Sequence, residues 1–200
     1  ATDGANGFEQ LDGARCVDTF VIGGSTYAIV TAATDNGVQI IDVSDPFALA
    51  AVGDATDGAN GFDVLRSARG VDTFVIGGST YAIVAGYGDN GVQLLNVSDP
   101  HHPVALASAT DGQDGFDELY NAHGVATFVV DGKTYALVAA RDDDGVQLID
   151  VSDPARPVAV WSVTDGVDGF DELDGARGVV TFAIGAKTYA IVTSAYDSGA

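Results

Sequence analysis

The residues of this chain best placed to do chemistry are carboxylates set in glycine-rich loops. In "TDGQDGFDELYNAHG" (Thr110 to Gly124), Asp111 is followed three residues later by Asp114 and three further on by Asp117. The pattern returns as Asp3, Asn6 and Glu9, as Asp57, Asn60 and Asp63, and as Asp165, Asp168 and Asp171. Hard oxygen ligands separated by glycines are what Ca2+ takes, and glycine lets a loop fold around an ion, although this spacing is not that of an EF-hand. Asp3, Asn6, Asp57, Asn60, Asp111, Asp114, Asp117, Asp165, Asp168 and Asp171 are therefore the candidate metal ligands. A second reading stays open beside the first. Asp and Asn make Asx-turns and glycine supplies positive φ, with Phe8, Phe62, Phe116 and Phe170 anchoring each loop in the core.

Other reactive side chains read as structural. Arg15, Arg69, His123 and Arg177 occupy one equivalent position after these loops, where a cation is expected to pair with the loop carboxylates. His101 and His102 replace Phe47-Ala48 and Ala155-Arg156 at a turn, and no third metal ligand accompanies them. Ser44, Ser98 and Ser152 recur identically in "VSDP", whereas a working nucleophile breaks symmetry; their hydroxyls are expected to cap the turn. No Gly-x-Ser-x-Gly, phosphate loop or paired zinc motif is present. No catalytic residue is assigned, and the chain is expected not to be an enzyme. Asn96 in "NVS" is an N-glycosylation sequon, but it stands once, where its equivalents are Asp42 and Asp150. Cys16 has no partner for a disulfide, and its counterparts Gly70, Gly124 and Gly178 mark a tight position. Trp161 and the tyrosines Tyr27, Tyr81, Tyr135 and Tyr189 are expected in strand cores ahead of sugar stacking.

The elements that position these residues repeat with a period of 54. "ATDGANGF" at Ala1 returns at Ala55, as "ATDGQDGF" at Ala109 and as "VTDGVDGF" at Val163. The repeats run 1–54, 55–108 and 109–162, with a partial copy at 163–200. Each reads as four short strands. "GVDTFVI" (Gly70 to Ile76) alternates, and Gly77-Gly78 or Asp131-Gly132 then makes a tight hairpin. "TYAIVA" (Thr80 to Ala85) is nearly all apolar, as a strand buried on both faces would be. "VQLIDV" (Val146 to Val151) is ended by "SDP", because Pro154 cannot donate to a ladder, and "PVAVWSV" (Pro157 to Val163) is the fourth. Four antiparallel strands joined by tight turns predict an all-β, propeller-like array of blades, each needing a neighbour to cover its faces. A parallel β-helix is the rival, but its turns come at shorter, more even spacing.

"TYALVAARDDDGVQLIDVSDPARPV" resembles the LVIVD-type β-propeller repeat of bacterial and archaeal cell-surface proteins. The likeness covers the three full copies and the first half of the fourth. It implies exported, surface-associated proteins, often large and without known catalysis. Two departures stand out: the copies are longer than the usual blade, and they are too few for an ordinary closed ring.

Charge narrows the partners. Eight basic against 29 acidic residues give −21, which argues against nucleic acid and anionic membranes. No apolar run is long enough to span a bilayer. The chain has no methionine, which reads as processing or as part of something longer, and favours an extracellular or cell-surface location. The fourth copy ends after its second strand, so Tyr189, Ala190, Ile191, Val192, Thr193 and Ser194 are expected to form an exposed apolar edge. The expected function is a non-catalytic extracellular structural protein. Its partner is another copy of itself or further repeats of a longer chain, joined by strand or blade completion into a fibre or surface array. The alternative is an adhesion module whose acidic loops bind calcium, glycan or a protein.

Overall fold

The computed structural model describes residues 1–197. Fourteen strands make up its regular structure, and no helix occurs among the described residues. In the first sheet β1 (Ala14–Ile22), β2 (Ser25–Ala32), β3 (Gly37–Asp42) and β4 (Ala50–Thr56) pair in chain order, every pair antiparallel. The second holds β5 (Ala68–Ile76), β6 (Ser79–Gly86), β7 (Gly91–Asn96) and β8 (Val104–Thr110). The third holds β9 (Ala122–Val130), β10 (Lys133–Ala140), β11 (Gly145–Asp150) and β12 (Val158–Thr164). The fourth has two strands, β13 (Gly178–Ile184) and β14 (Lys187–Thr193). This is the propeller-like, all-β architecture expected: three full blades and a half.

Local chemistry explains the meander. Gly23 and Gly24 sit at φ 60 and 89, and Asp131 and Gly132 at φ 50 and 78. Two successive positive-φ residues make the turn whose twist matches the flanking strands. β2, β6 and β10 are mostly buried along their length because they lie mid-sheet, β6 and β10 with a blade on either side and β2 with one, whereas the outer β4 is more exposed.

Blades associate through their first strands, so β1, β5, β9 and β13 stand side by side around a common axis. Between the first two sheets the core centres on Ile29, Ile40, Leu65, Val84 and Leu95; between the second and third, on Ile83, Leu94, Leu119, Val138 and Ile149. The last interface is thinner, its buried members being Leu137, Val146, Val163 and Leu173. A polar clasp joins neighbouring blades: the Thr73 N–H and hydroxyl both donate to Asp18 Oδ2, at 2.8 and 2.5 Å. Thr127 does the same to Asp72 Oδ2, at 2.6 Å for each bond. At the third junction Ala126 stands where the acid would be, and the Thr181 hydroxyl donates to the Thr127 carbonyl instead, at 3.1 Å.

One irregularity matters for the site. β1 carries one extra residue between Ala14 and Val17, and β5 one between Ala68 and Val71. In β9 the register shifts across His123, between the pairs Ala122–Ala140 and Gly124–Ala139. A bulge bends the strand and re-aims a side chain. In each strand it falls at the axial cation.

Candidate functional site

The acidic loops are built as turns. Asp3, Asp57, Asp111 and Asp165 each accept, through Oδ1, the N–H of the leucine eight residues on (Leu11, Leu65, Leu119, Leu173), at 2.8–3.1 Å. Asn6, Asn60, Asp114 and Asp168 take left-handed backbone, φ 52–56. Asp117 and Asp171 point outward, exposed. Among the described residues no three of Asp, Glu, His or Cys converge as a metal would require. Phe8, Phe62 and Phe116 are buried as anchors, but Phe170 is exposed, since among the described residues its blade has no outer strands to cover it.

A residue type that sequence reasoning passed over organises each loop. The Gln39, Gln93 and Gln147 amides are buried; each Oε1 accepts two successive loop N–H groups, and each Nε2 donates across the sheet to Gly53, Ala107 or Trp161 O. The signal was a lone amide inside an otherwise apolar strand. The VSDP serines act over a longer range than a local cap: Ser44, Ser98 and Ser152 Oγ accept the Thr26, Thr80 and Thr134 N–H at 3.0 Å, tying β3, β7 and β11 to the start of the preceding strand. Asn96 Oδ1 accepts the Ser98 N–H at 2.9 Å, the task of Asp42 and Asp150 in the other blades. Trp161 is exposed against Phe170, ring centroids 5.8 Å apart, which corrects its expected core role.

The half-blade presents an open edge. Tyr189, Ala190, Ile191, Val192 and Thr193 lie in β14, with Ser194 just beyond it, and among the described residues β14 pairs with β13 alone. Tyr189 is 42% exposed and Ile191 54%, where the equivalent Tyr27 and Ile83 are 9% and 0%. At the opposite end of the array, no blade precedes β1 among the described residues: Val17 is 59% exposed, against 4% for Val71 and 8% for Val125.

The axial cations do not pair with the loop carboxylates, contrary to expectation. Arg15, Arg69, His123 and Arg177 instead surround an open cleft of about 490 Å³ on the axis, floored by Gly70, Gly124 and Gly178. Those glycines are steric: a Cβ on Gly70 would stand 2.5 Å from the His123 carbonyl oxygen, and one on Gly124 would stand 2.3 Å from that of Arg177. Cys16 fills the same small position in β1. The Arg69 guanidinium stacks on Tyr87 at 4.1 Å and approaches His123 Nε2 at 3.5 Å; Tyr87 in turn accepts a 2.7 Å bond from Arg141 Nη1. Arg141 also donates to the Tyr196 hydroxyl and lies 3.3 Å from Asp142. Burial, with Arg69, Arg177 and Arg141 nearby, pushes the His123 pKa down to about 4, so its ring is neutral at pH 7. Tyr87 and Arg141 stand where the other copies have Ala33 and Ala195. Together with His123, they break the repeat, and they do so in one place.

Sheets of this topology ranged around an axis define the β-propeller class of repeat array. Within that class, the LVIVD repeat model matches residues 21–57 and 126–165. No curated protein matches the sequence. Among solved structures, a functionally unknown protein from Desulfotomaculum acetoxidans is similar at 18% identity and TM-score 0.55, over 84% of this chain and 47% of that one. The periplasmic gluconolactonase of Pseudomonas aeruginosa is similar at 16% identity and TM-score 0.57, over 76% and 40%. The exo-β-1,3-galactanase of Phanerochaete chrysosporium is similar at 13% identity and TM-score 0.63, over 97% and 46%. The chain therefore spans about half the length of these structures. At such identities the likeness is one of fold.

It nevertheless corrects one expectation. Catalysis was excluded because the repeat offers no asymmetric site, yet two of these propellers are enzymes by name. Sheets can repeat while the loops and first strands at the axis differ, and function lives in those differences. Repetition of the blades gives no ground for excluding an enzyme.

Proposed function

We propose that this array is a surface-located assembly module, exported from the cell, whose first and last blades, open among the described residues, dock head to tail on neighbouring copies. The carrying observation is the open face of β13 and β14, with Ile191 exposed where Ile29, Ile83 and Leu137 are buried, and Tyr189 exposed where Tyr81 and Tyr135 are half-buried. The exposed face of β1, with Val17, has the shape and chemistry that β5 and β9 use to cover their neighbours. One end therefore offers what the other lacks. Such a contact is heterologous: it closes into a ring if the rotation allows and otherwise propagates as a fibre or array. The LVIVD repeat and the acidic surface support an exported location, which fractionation of cells with an antibody would check.

Sedimentation velocity over a concentration series, with negative-stain microscopy of the same samples, tests assembly. The native chain forms dimers or longer species, while Ile191→Lys and Val17→Lys, each charging one end, leave monomers. A native chain that stays monomeric at every concentration overturns the proposal.

A further inference from the structure

We infer that the axial cleft is a binding site for a small, multiply charged oxyanion, held by the guanidinium groups of Arg15, Arg69 and Arg177. The chain has eight basic residues against 29 acidic ones, yet four of the eight, Arg15, Arg69, Arg141 and Arg177, collect around this one opening. Among the described residues, Arg15, Arg69 and Arg177 have no carboxylate within ion-pair distance, whereas the exposed Arg66, Lys133 and Arg156 each have one. In a protein so rich in acid, three unpaired arginines facing one another are a local inversion of charge. Burial and the like charges of Arg15, Arg141 and Arg177 weaken the hold of Arg69 on its own proton. That cost is relieved when an anion enters.

The arrangement is fixed before any ligand arrives. The bulges at Arg15–Cys16, Arg69–Gly70 and His123 turn these side chains toward the axis, and the glycines let successive first strands approach closely there. Tyr87 holds the Arg69 guanidinium flat, and Arg141 holds Tyr87. The Arg69 Nε–H is buried without a hydrogen-bond partner. Planar guanidinium forks match the paired oxygens of a carboxylate or a phosphate, and three of them suit a ligand carrying more than one negative charge. The cleft, at about 490 Å³, is of the size small-molecule sites have. Phosphate esters and polycarboxylates share this oxyanion chemistry.

The inference is independent of assembly, since every group it needs lies in one chain. Calorimetric titration with inorganic phosphate and, separately, with citrate, both against sodium chloride of equal ionic strength, tests it. At least one of the two anions binds. Binding of phosphate alone points to a phosphate ester, binding of citrate alone to a polycarboxylate, and binding of both to the shared chemistry. Arg69→Gln weakens binding by about tenfold or more, through loss of a charge-assisted fork. Arg177→Gln, at an exposed side chain with little packing to lose, does likewise, and Arg156→Gln on a distant turn changes nothing. NMR supplies a second readout. A bound anion favours the imidazolium, so the His123 pKa rises from about 4 at saturation. Ile191→Lys keeps this binding even as it blocks assembly. Absence of binding by both anions, or binding equally tight in Arg69→Gln and Arg177→Gln, overturns the inference.

Discussion

At the residue scale, the loops depend on one buried amide per blade. Gln93 holds the Asp63 and Val64 N–H groups with its oxygen, at 3.0 and 3.3 Å, and donates to Ala107 O at 2.9 Å. Replacing it with leucine keeps the volume but leaves those backbone groups buried and unpaired, each such loss costing about 1–3 kcal/mol. Gln93→Leu is therefore expected to lower unfolding stability by about 3 kcal/mol, measured by urea denaturation; a change within error would refute the role. This residue was visible in "GVQ", but its role was not, because its partners lie 14 and about 30 residues away. The axial cations were misread for a related reason. Their position in the repeat was legible, whereas the bulge that turns Arg15, Arg69 and His123 from the loop carboxylates to the axis depends on cross-strand register.

At the element scale, strands, hairpins and breakers were legible because their causes are local: alternation, the paired left-handed residues of the turn, and a proline that cannot donate. "TYAIVA" spans Thr80–Ala85 within β6 (Ser79–Gly86), and "PVAVWSV" overlaps β12 (Val158–Thr164). What holds blade to blade is not local. The clasp from Thr127 to Asp72 joins residues 55 apart, and no turn or period announces it. It makes two bonds to one charged oxygen, so Asp72→Ala is expected to cost about 2 kcal/mol. The junction of β9 with β13, where Ala126 replaces the acid, should open before the others. Native-state hydrogen exchange checks this: amides of β13 and β14 exchange first, and protection there equal to that in β5 and β6 would contradict it.

At the scale of the whole molecule, the balance of charge sets an unusual response to pH. Burial, reinforced by Asp143, Asp111 and Asp117, raises the Glu118 pKa from 4.5 to about 7. Burial and the neighbouring Asp111 raise that of Asp143 from 3.8 to about 6. Asp72, Asp89 and Asp174 shift upward as well, all with burial as the leading cause. A carboxyl whose pKa is raised by folding keeps a proton that the unfolded chain releases, so stability falls as pH climbs from its unfolded value through its folded one. His123 works the other way. Its pKa drops from 6.5 to about 4, so its contribution is lost as pH falls through that window. Asp42, Asp99 and Asp150 have lowered pKa values, and what they contribute is lost only below about 3.8, outside the range in question. Between about pH 4.5 and 7 the raised carboxyls outnumber the one histidine, and the folded chain holds the excess of protons. The protein is therefore expected to melt a few degrees higher at pH 5 than at pH 7.5 in the same salt, the reverse of ordinary acid denaturation. Glu118→Gln isolates the largest contributor: one Glu118 oxygen accepts from the Thr164 hydroxyl and the other is buried without a partner, so an amide fits the site without the cost of the charge. The variant should be more stable than the native chain at pH 7.5, unchanged at pH 4.5, and flatter between. A native stability that climbs steadily from pH 5 to 7.5, or a slope that Glu118→Gln leaves untouched, would show that the buried carboxyls do not govern it.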